Sequence, residues 1–150
     1  MSLARRFLFG ALAALPAGMI ARRAEAAVAA AADAVPKVAY HLADAEKVDF
    51  VLGNIENHFA GMGGPDRVHI ALVVHGPALL GFEPGRANAD RTRRLAALVA
   101  KGLDLGACGN TLKAQNLTVG QLLPGFAPVP EGGVVRLARL QAMGYAYLRP

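Results

Sequence analysis

Serine, cysteine and tryptophan are almost or wholly missing from this chain of 150 residues. Ser2 is the only serine, so a chain that loses its first residues has none, and serine-nucleophile hydrolysis is excluded. The single cysteine, Cys108, admits no intramolecular disulfide, multi-cysteine zinc ribbon or iron–sulfur site. No Walker A pattern, HExxH or CxxC occurs. Gly61-Met62-Gly63-Gly64 follows a helical pattern and precedes a strand, which is the wrong order for a dinucleotide fingerprint. Glu56, Asp90 and Glu131 have no evident partner carboxylate, so paired acid–base glycosidase chemistry has no support.

What is present begins with an address. Arg5 and Arg6 precede the apolar run Phe7 to Ala21, which is 15 residues long and interrupted by Gly10, Pro16 and Gly18. A span of the ~30 Å hydrocarbon core takes about 20 residues, so the run reads as a signal peptide rather than an uncleaved membrane anchor. The small-x-small site Ala24-Glu25-Ala26 places cleavage before Ala27. Arg5-Arg6-Phe7-Leu8-Phe9 approximates the twin-arginine export pattern, although Ala4 replaces the usual polar residue. The expected organisation is a signal peptide over 1–26, a flexible alanine-rich leader over 27–36, and one domain over 37–150 that is exported to the periplasm and has no membrane segment of its own.

The charge balance changes with that cleavage. The full chain has 16 basic and 11 acidic residues, a net charge of +5. Loss of Arg5, Arg6, Arg22, Arg23 and Glu25 leaves 12 basic and 10 acidic residues, a net charge of +2. Nucleic-acid binding then loses its electrostatic argument, because non-specific affinity scales with the phosphates neutralised. Arg86, Arg91, Arg93 and Arg94 form a local basic cluster that reads as a solvated face or a subunit contact.

Strand and helix patterns alternate along 37–150. Lys37 to Leu42 and the nearly continuous apolar run Val68 to His75 read as strands, the second one covered on both faces. Between them Asp44 caps a helix whose Val48, Leu52, Ile55 and Phe59 share one face. Gly76 to Asn88 is punctuated by glycine and proline and reads as a loop. Asp90 to Gly102 reads as a helix, Leu103 to Cys108 as a strand, Asn110 to Asn116 as a short helix and Phe126 to Val129 as a strand. Glu131 to Gly144 then reads as a helix buried through Val134, Leu137 and Leu140, and Tyr145 to Leu148 as a closing strand. The expected fold class is α/β: a flavodoxin-like three-layer α/β/α arrangement with a five-stranded parallel sheet in the order 2-1-3-4-5.

Ligands and reactive groups in such sheets collect at the carboxyl ends of the strands. That rule points to His41, His75 and Cys108, each near the end of its strand. With the first strand flanked by the second and third, these three form one neighbourhood. Cys108 precedes a helix, where unpaired N–H groups and the positive helix end favour the thiolate. Gly106 and Gly109 admit close approach of a substrate sulfur, the N–H groups of Gly109, Asn110 and Thr111 are candidate donors, and Lys113 adds positive charge if it turns back. His75 is the candidate proton acceptor, with His41 in support. Three plainer readings stay open. Cys108 is an inert buried residue in an oligomeric binding module; the histidines satisfy loop backbone; or the Cys/His/His group holds copper or zinc in a periplasmic metal or redox-stress protein. His69 lies six residues back from His75 along its strand, and His58 sits on the first helix, where it is expected to be solvated.

Several segments taken together resemble the DsrE/DsrF-like family. They are Asn54-Ile55-Glu56-Asn57, His75-Gly76 after an apolar strand, Ala107-Cys108-Gly109-Asn110-Thr111-Leu112, Leu122-Leu123-Pro124-Gly125 and Leu140-Gln141-Ala142-Met143-Gly144-Tyr145-Ala146-Tyr147. The resemblance covers about 37–150. It implies a flavodoxin-like sheet, assembly into oligomers, and sulfur carried as a persulfide on a cysteine and passed between a donor and an acceptor protein, with no organic cofactor. Cys108 matches the carrier position by context. The export signal departs from the best-known carriers of that family, which work in the cytoplasm.

Overall fold

The computed structural model describes residues 35–150. The expected signal peptide and all but the last two residues of the leader lie outside the described residues. The strands are β1 (Lys37–Leu42), β2 (His69–Val74), β3 (Asp104–Cys108), β4 (Ala127–Val129) and β5 (Ala146–Leu148). The α-helices are α1 (Val48–Gly61), α2 (Ala89–Ala100), α3 (Gly109–Ala114) and α4 (Gly133–Ala142). These bounds differ from the sequence pattern by one or two residues at an end, except at α1: Asp44 makes no side-chain cap bond, a 3-10 turn occupies Ala45–Lys47, and the α-helix starts at Val48.

All five strands are parallel, with helices on both faces, as the alternating pattern requires. Their order is β4-β3-β2-β1-β5, not the expected 2-1-3-4-5. β1 is flanked by β2 and β5, and β2 stands between β1 and β3. Alternation alone does not say in which direction each crossover steps, and here the first three all step the same way. Right-handed crossovers that step one way put their helices on one face, and a crossover that steps back puts its helix on the other. α1, α2 and α3 therefore share a face, and α4, on the return from β4 to β5, lies alone on the opposite one.

Burial follows that division. On the first face Val38, Tyr40, Leu42, Ile70, Leu72, Val74, Leu105 and Ala107 meet Val51, Leu52, Ile55 and Phe59 of α1, Leu95 and Leu98 of α2, and Leu112 of α3. On the second face the cluster is small: Ala39, Ala71, Val73, Leu137 and Leu140, with Tyr145 packed against it. Small strand residues there let α4 sit close. Val134, expected inside, is 69% exposed, because a ten-residue helix on an open face turns only one narrow stripe to the sheet.

Two other expectations are corrected. The segment 76–88 is not a plain surface loop, since Gly76–Phe82 is a 3-10 helix that buries Ala78, Leu79 and Phe82. The arginine cluster is a solvated face only in part: Arg86 and Arg93 are exposed, and Arg91 and Arg94 are not free. Arg91 makes two 2.8 Å bonds to the Asp49 carboxylate, and Arg94 holds Glu56 at 2.8 and 2.9 Å, tying α2 to α1. These bidentate contacts hold both carboxyls below their usual range.

Removing the fully buried Leu72 side chain leaves a cavity in the larger core. Leu72→Ala is expected to lower unfolding free energy by about 2–5 kcal/mol in a denaturant titration. Phe50→Ala, at a position 60% exposed, is expected to change it by less than ~0.5 kcal/mol.

Candidate functional site

β1, β2 and β3 end side by side, and their alternation decides which residues share a face. His41 follows Ala39 on the α4 side of β1, His75 follows Val73 on that side at the end of β2, and Cys108 follows Gly106 on β3. The β2–β3 register pairs Val74 with Ala107, so the next step places His75 beside Cys108. The corrected strand order makes His75 the middle member. His41 meets it through an Nε2-to-Nε2 hydrogen bond, the ring centroids lying 4.6 Å apart and the planes 18° from parallel.

Cys108 caps α3, but the donor that reaches its sulfur comes from another element. The Gly133 N–H, first in α4, donates to Cys108 Sγ at 3.1 Å. The starts of two helices thus converge on one atom. Burial pushes the Cys108 thiol up, but the polar groups of Thr111, Gly133 and Asn110 around it outweigh that and hold the thiol below its ordinary value; of these, the Gly133 N–H makes the hydrogen bond to Sγ. Thr111 Oγ1 also accepts the Gly76 N–H at 3.0 Å, which links the turn after His75 to the thiol. Lys113 is exposed and is not among the groups that lower the thiol.

Two glycines make this approach possible. A Cβ at Gly109 would lie 2.8 Å from Val129 O and 2.9 Å from Pro130 Cα, so only glycine fits where α3 starts under β4. A Cβ at Gly133 would stand 3.4 Å from Cys108 Cβ and 3.5 Å from His75 Cβ, in the space between them. Gly133 was not singled out from the sequence. The pair Gly132-Gly133, standing where a capping Ser, Thr, Asp or Asn is usual, was the signal for it.

The Cys108 residue is only 6% exposed, yet it lines a cavity of about 260 Å³ with His75, Thr111, Gly133, Val134 and Val135. A larger groove of about 330 Å³ between α2 and residues 123–125 is apolar and has no ionisable side chain in its lining. Tyr147 is a second residue that sequence reasoning missed: its hydroxyl lies 2.6 Å from His41 Nδ1. His69 is exposed at the start of β2, away from the group. His58 is not simply solvated, since its Nδ1 pairs with the Tyr40 hydroxyl at 2.9 Å. Among the described residues no three or more His, Cys, Asp and Glu side chains are grouped to hold a metal ion. Among the same residues no helix is long and apolar enough to cross a membrane.

Comparison with known proteins places this geometry. No protein-family model matches the chain, and no curated protein matches it. Several solved structures are similar, MTH1491 and the ychN protein among them. MTH1491 from Methanobacterium thermoautotrophicum, a protein of unknown function, is 26% identical with a TM-score of 0.66, over 77% of this chain and 99% of that one. The ychN protein from E. coli, which has a DsrE-like fold, is 13% identical with a TM-score of 0.60, over 78% of this chain and 100% of that one. The fold is DsrE-like. In this DsrE-like sheet the thiol stands at the carboxyl rim, where doubly wound folds place their ligands.

The histidine pair makes stability depend on pH. Burial first, then His75 and Arg149, lower His41 from 6.5 to about 4, against a raising effect of Asp44. His75 is lowered by burial and Arg149, again against Asp44. Below 6.5 the unfolded chain therefore binds protons that the folded pair refuses. Stability is full above that value and falls as pH drops toward about 4. The thermal midpoint of the wild type is expected to fall across this window, and His41→Gln is expected to flatten the fall.

Proposed function

We propose that this chain is an exported member of the DsrE/DsrF-like family that carries sulfur as a persulfide on Cys108. The observation that carries the reading is the Cys108 sulfur itself, which accepts the Gly133 N–H beside a cavity rather than lying sealed in the core. A thiolate is the nucleophile in sulfur exchange, and the hydrogen bond that Gly133 donates to Sγ favours it. The run from Arg5 to Ala26 supports export.

The chemistry is an exchange of sulfur–sulfur bonds. The Cys108 proton passes to neutral His75, and the thiolate attacks the outer sulfur of a polysulfide or persulfide donor. A bond forms from Sγ to that sulfur, and the donor's sulfur–sulfur bond breaks. The electron pair leaves with the donor thiolate, which takes the proton back from His75. Cys108 now bears the outer sulfur, and no outside oxidant is consumed. The Gly133 N–H donates to Sγ and so stabilises the thiolate before the attack and again when the sulfur leaves. An acceptor thiolate then attacks the outer sulfur, and Cys108 leaves as thiolate.

Intact mass spectrometry after exposure to polysulfide tests this. Wild type is expected to gain one sulfur atom and Cys108→Ser none, and equal gain in both discards the reading. The same spectrum, taken on protein from the periplasm, is expected to show a chain beginning at Ala27.

Assembly with further copies of this chain belongs to the same proposal. Val134 and Val135 leave apolar surface on α4 beside the cavity, and Met143 is exposed just past its other end. Light scattering is expected to give a mass above that of one chain, and Val134→Asp is expected to lower it; a monomer removes this part.

A further inference from the structure

Four side chains form a row on the α4 face, one from each of four adjacent strands. Tyr147 of β5 pairs in register with Ala39 of β1, and His41 is the next β1 residue on that face. His75 of β2 and Cys108 of β3 continue the row. The Tyr147 hydroxyl meets His41 Nδ1 at 2.6 Å, and His41 Nε2 meets His75 Nε2. Both nitrogens of His41 are thus engaged, and Nδ1 is the nitrogen left on His75, which lines one cavity with Cys108 without a direct hydrogen bond to it.

A neutral imidazole carries one proton on one of its two nitrogens. For His75 to accept at Nδ1 its own proton must sit on Nε2, where it donates to His41 Nε2. His41 must then be protonated on Nδ1, and that N–H needs an acceptor. The Tyr147 oxygen is that acceptor, and Tyr147 is 40% exposed, so its own hydrogen can turn to water. Without the hydroxyl, His41 is free to move its proton to Nε2. It would then donate to His75 Nε2 and force the His75 proton onto Nδ1, the nitrogen that must be empty.

We propose that Tyr147 is a positioning residue that, through His41, selects the tautomer of His75 able to take the Cys108 proton. The logic is that of a nucleophile, a base and an orienting group, with the orienting role split between two residues. When His75 takes the Cys108 proton it becomes imidazolium with both nitrogens protonated, and its Nε2–H still donates to His41. The proton returns from Nδ1 to the leaving sulfur. The other charged groups around the row are Asp44 and Arg149, 3.7 Å apart, Lys47 beside Asp44, and Glu131 at the cavity, which is held by Arg139 at 2.6 Å.

Tyr147→Phe keeps the ring and removes the hydroxyl. The meaning for sulfur transfer rests on the carrier reading, but the test does not use a sulfur substrate. Alkylation of Cys108 by iodoacetamide is followed against pH in wild type and Tyr147→Phe. The variant is expected to react about two- to tenfold more slowly at neutral pH, the scale of one hydrogen bond. Its limiting rate at high pH, where the thiolate is complete, is expected to be unchanged. Long-range proton–nitrogen NMR is expected to show His41 protonated on Nδ1 and His75 on Nε2 in wild type, with the His75 proton shifted toward Nδ1 in the variant. His75 protonated on Nδ1 in wild type, or superimposable alkylation profiles, overturns the inference. A shifted profile with no sulfur gained from polysulfide supports it and removes the carrier reading alone.

Discussion

The hand of the strand crossovers governs everything else in this molecule. A right-handed connection that steps along the sheet in one direction can place its helix on one face only. β1 to β4 step one way, so three helices pile on one side and build the larger core. The return to β5 steps the other way and sends a single helix across the opposite face. That helix cannot cover the whole rim. The end of β3 is left under its first turn, where Cys108 meets the Gly133 N–H instead of a packed apolar layer.

The same geometry reconciles two features of Cys108 that pull against each other. Burial raises a thiol, and this one is almost fully buried. The polar groups around it win because they lie in two directions: the start of α3 in its own chain segment, and the start of α4 from across the sheet, whose Gly133 N–H is the one bonded to Sγ. Neither set costs the protein a formal charge in the cavity. A lysine would serve the thiolate as well, but it would also hold it tightly as an ion pair, and Lys113 points elsewhere on an exposed surface.

Much of this was legible in the sequence because it is local. Val68 to His75 is apolar on both faces and could only be an inner strand, and Cys108 ends a strand because glycine and a helix pattern follow it. The order of strands was not legible, since alternation is the same whichever way a crossover steps. Gly133 and Tyr147 were missed for a related reason. Their roles depend on which strand lies next to which, and a glycine pair or a terminal tyrosine carries no such label. Val134 misled because helical spacing marks an apolar stripe but not whether a partner waits opposite it. Arg91 and Arg94 of α2 misled in the other direction, since their carboxylate partners lie in a different helix.

Gly133 has no side chain to yield, and its amide hydrogen occupies the approach to Sγ. An atom joined to that sulfur has the cavity to enter, and Val134 and Val135 of α4 line it. This helix is anchored to the sheet mainly by Leu137 and Leu140, and its outer surface is in water. Cargo at the rim would thus lie against side chains that also face the exterior, within reach of whatever docks there.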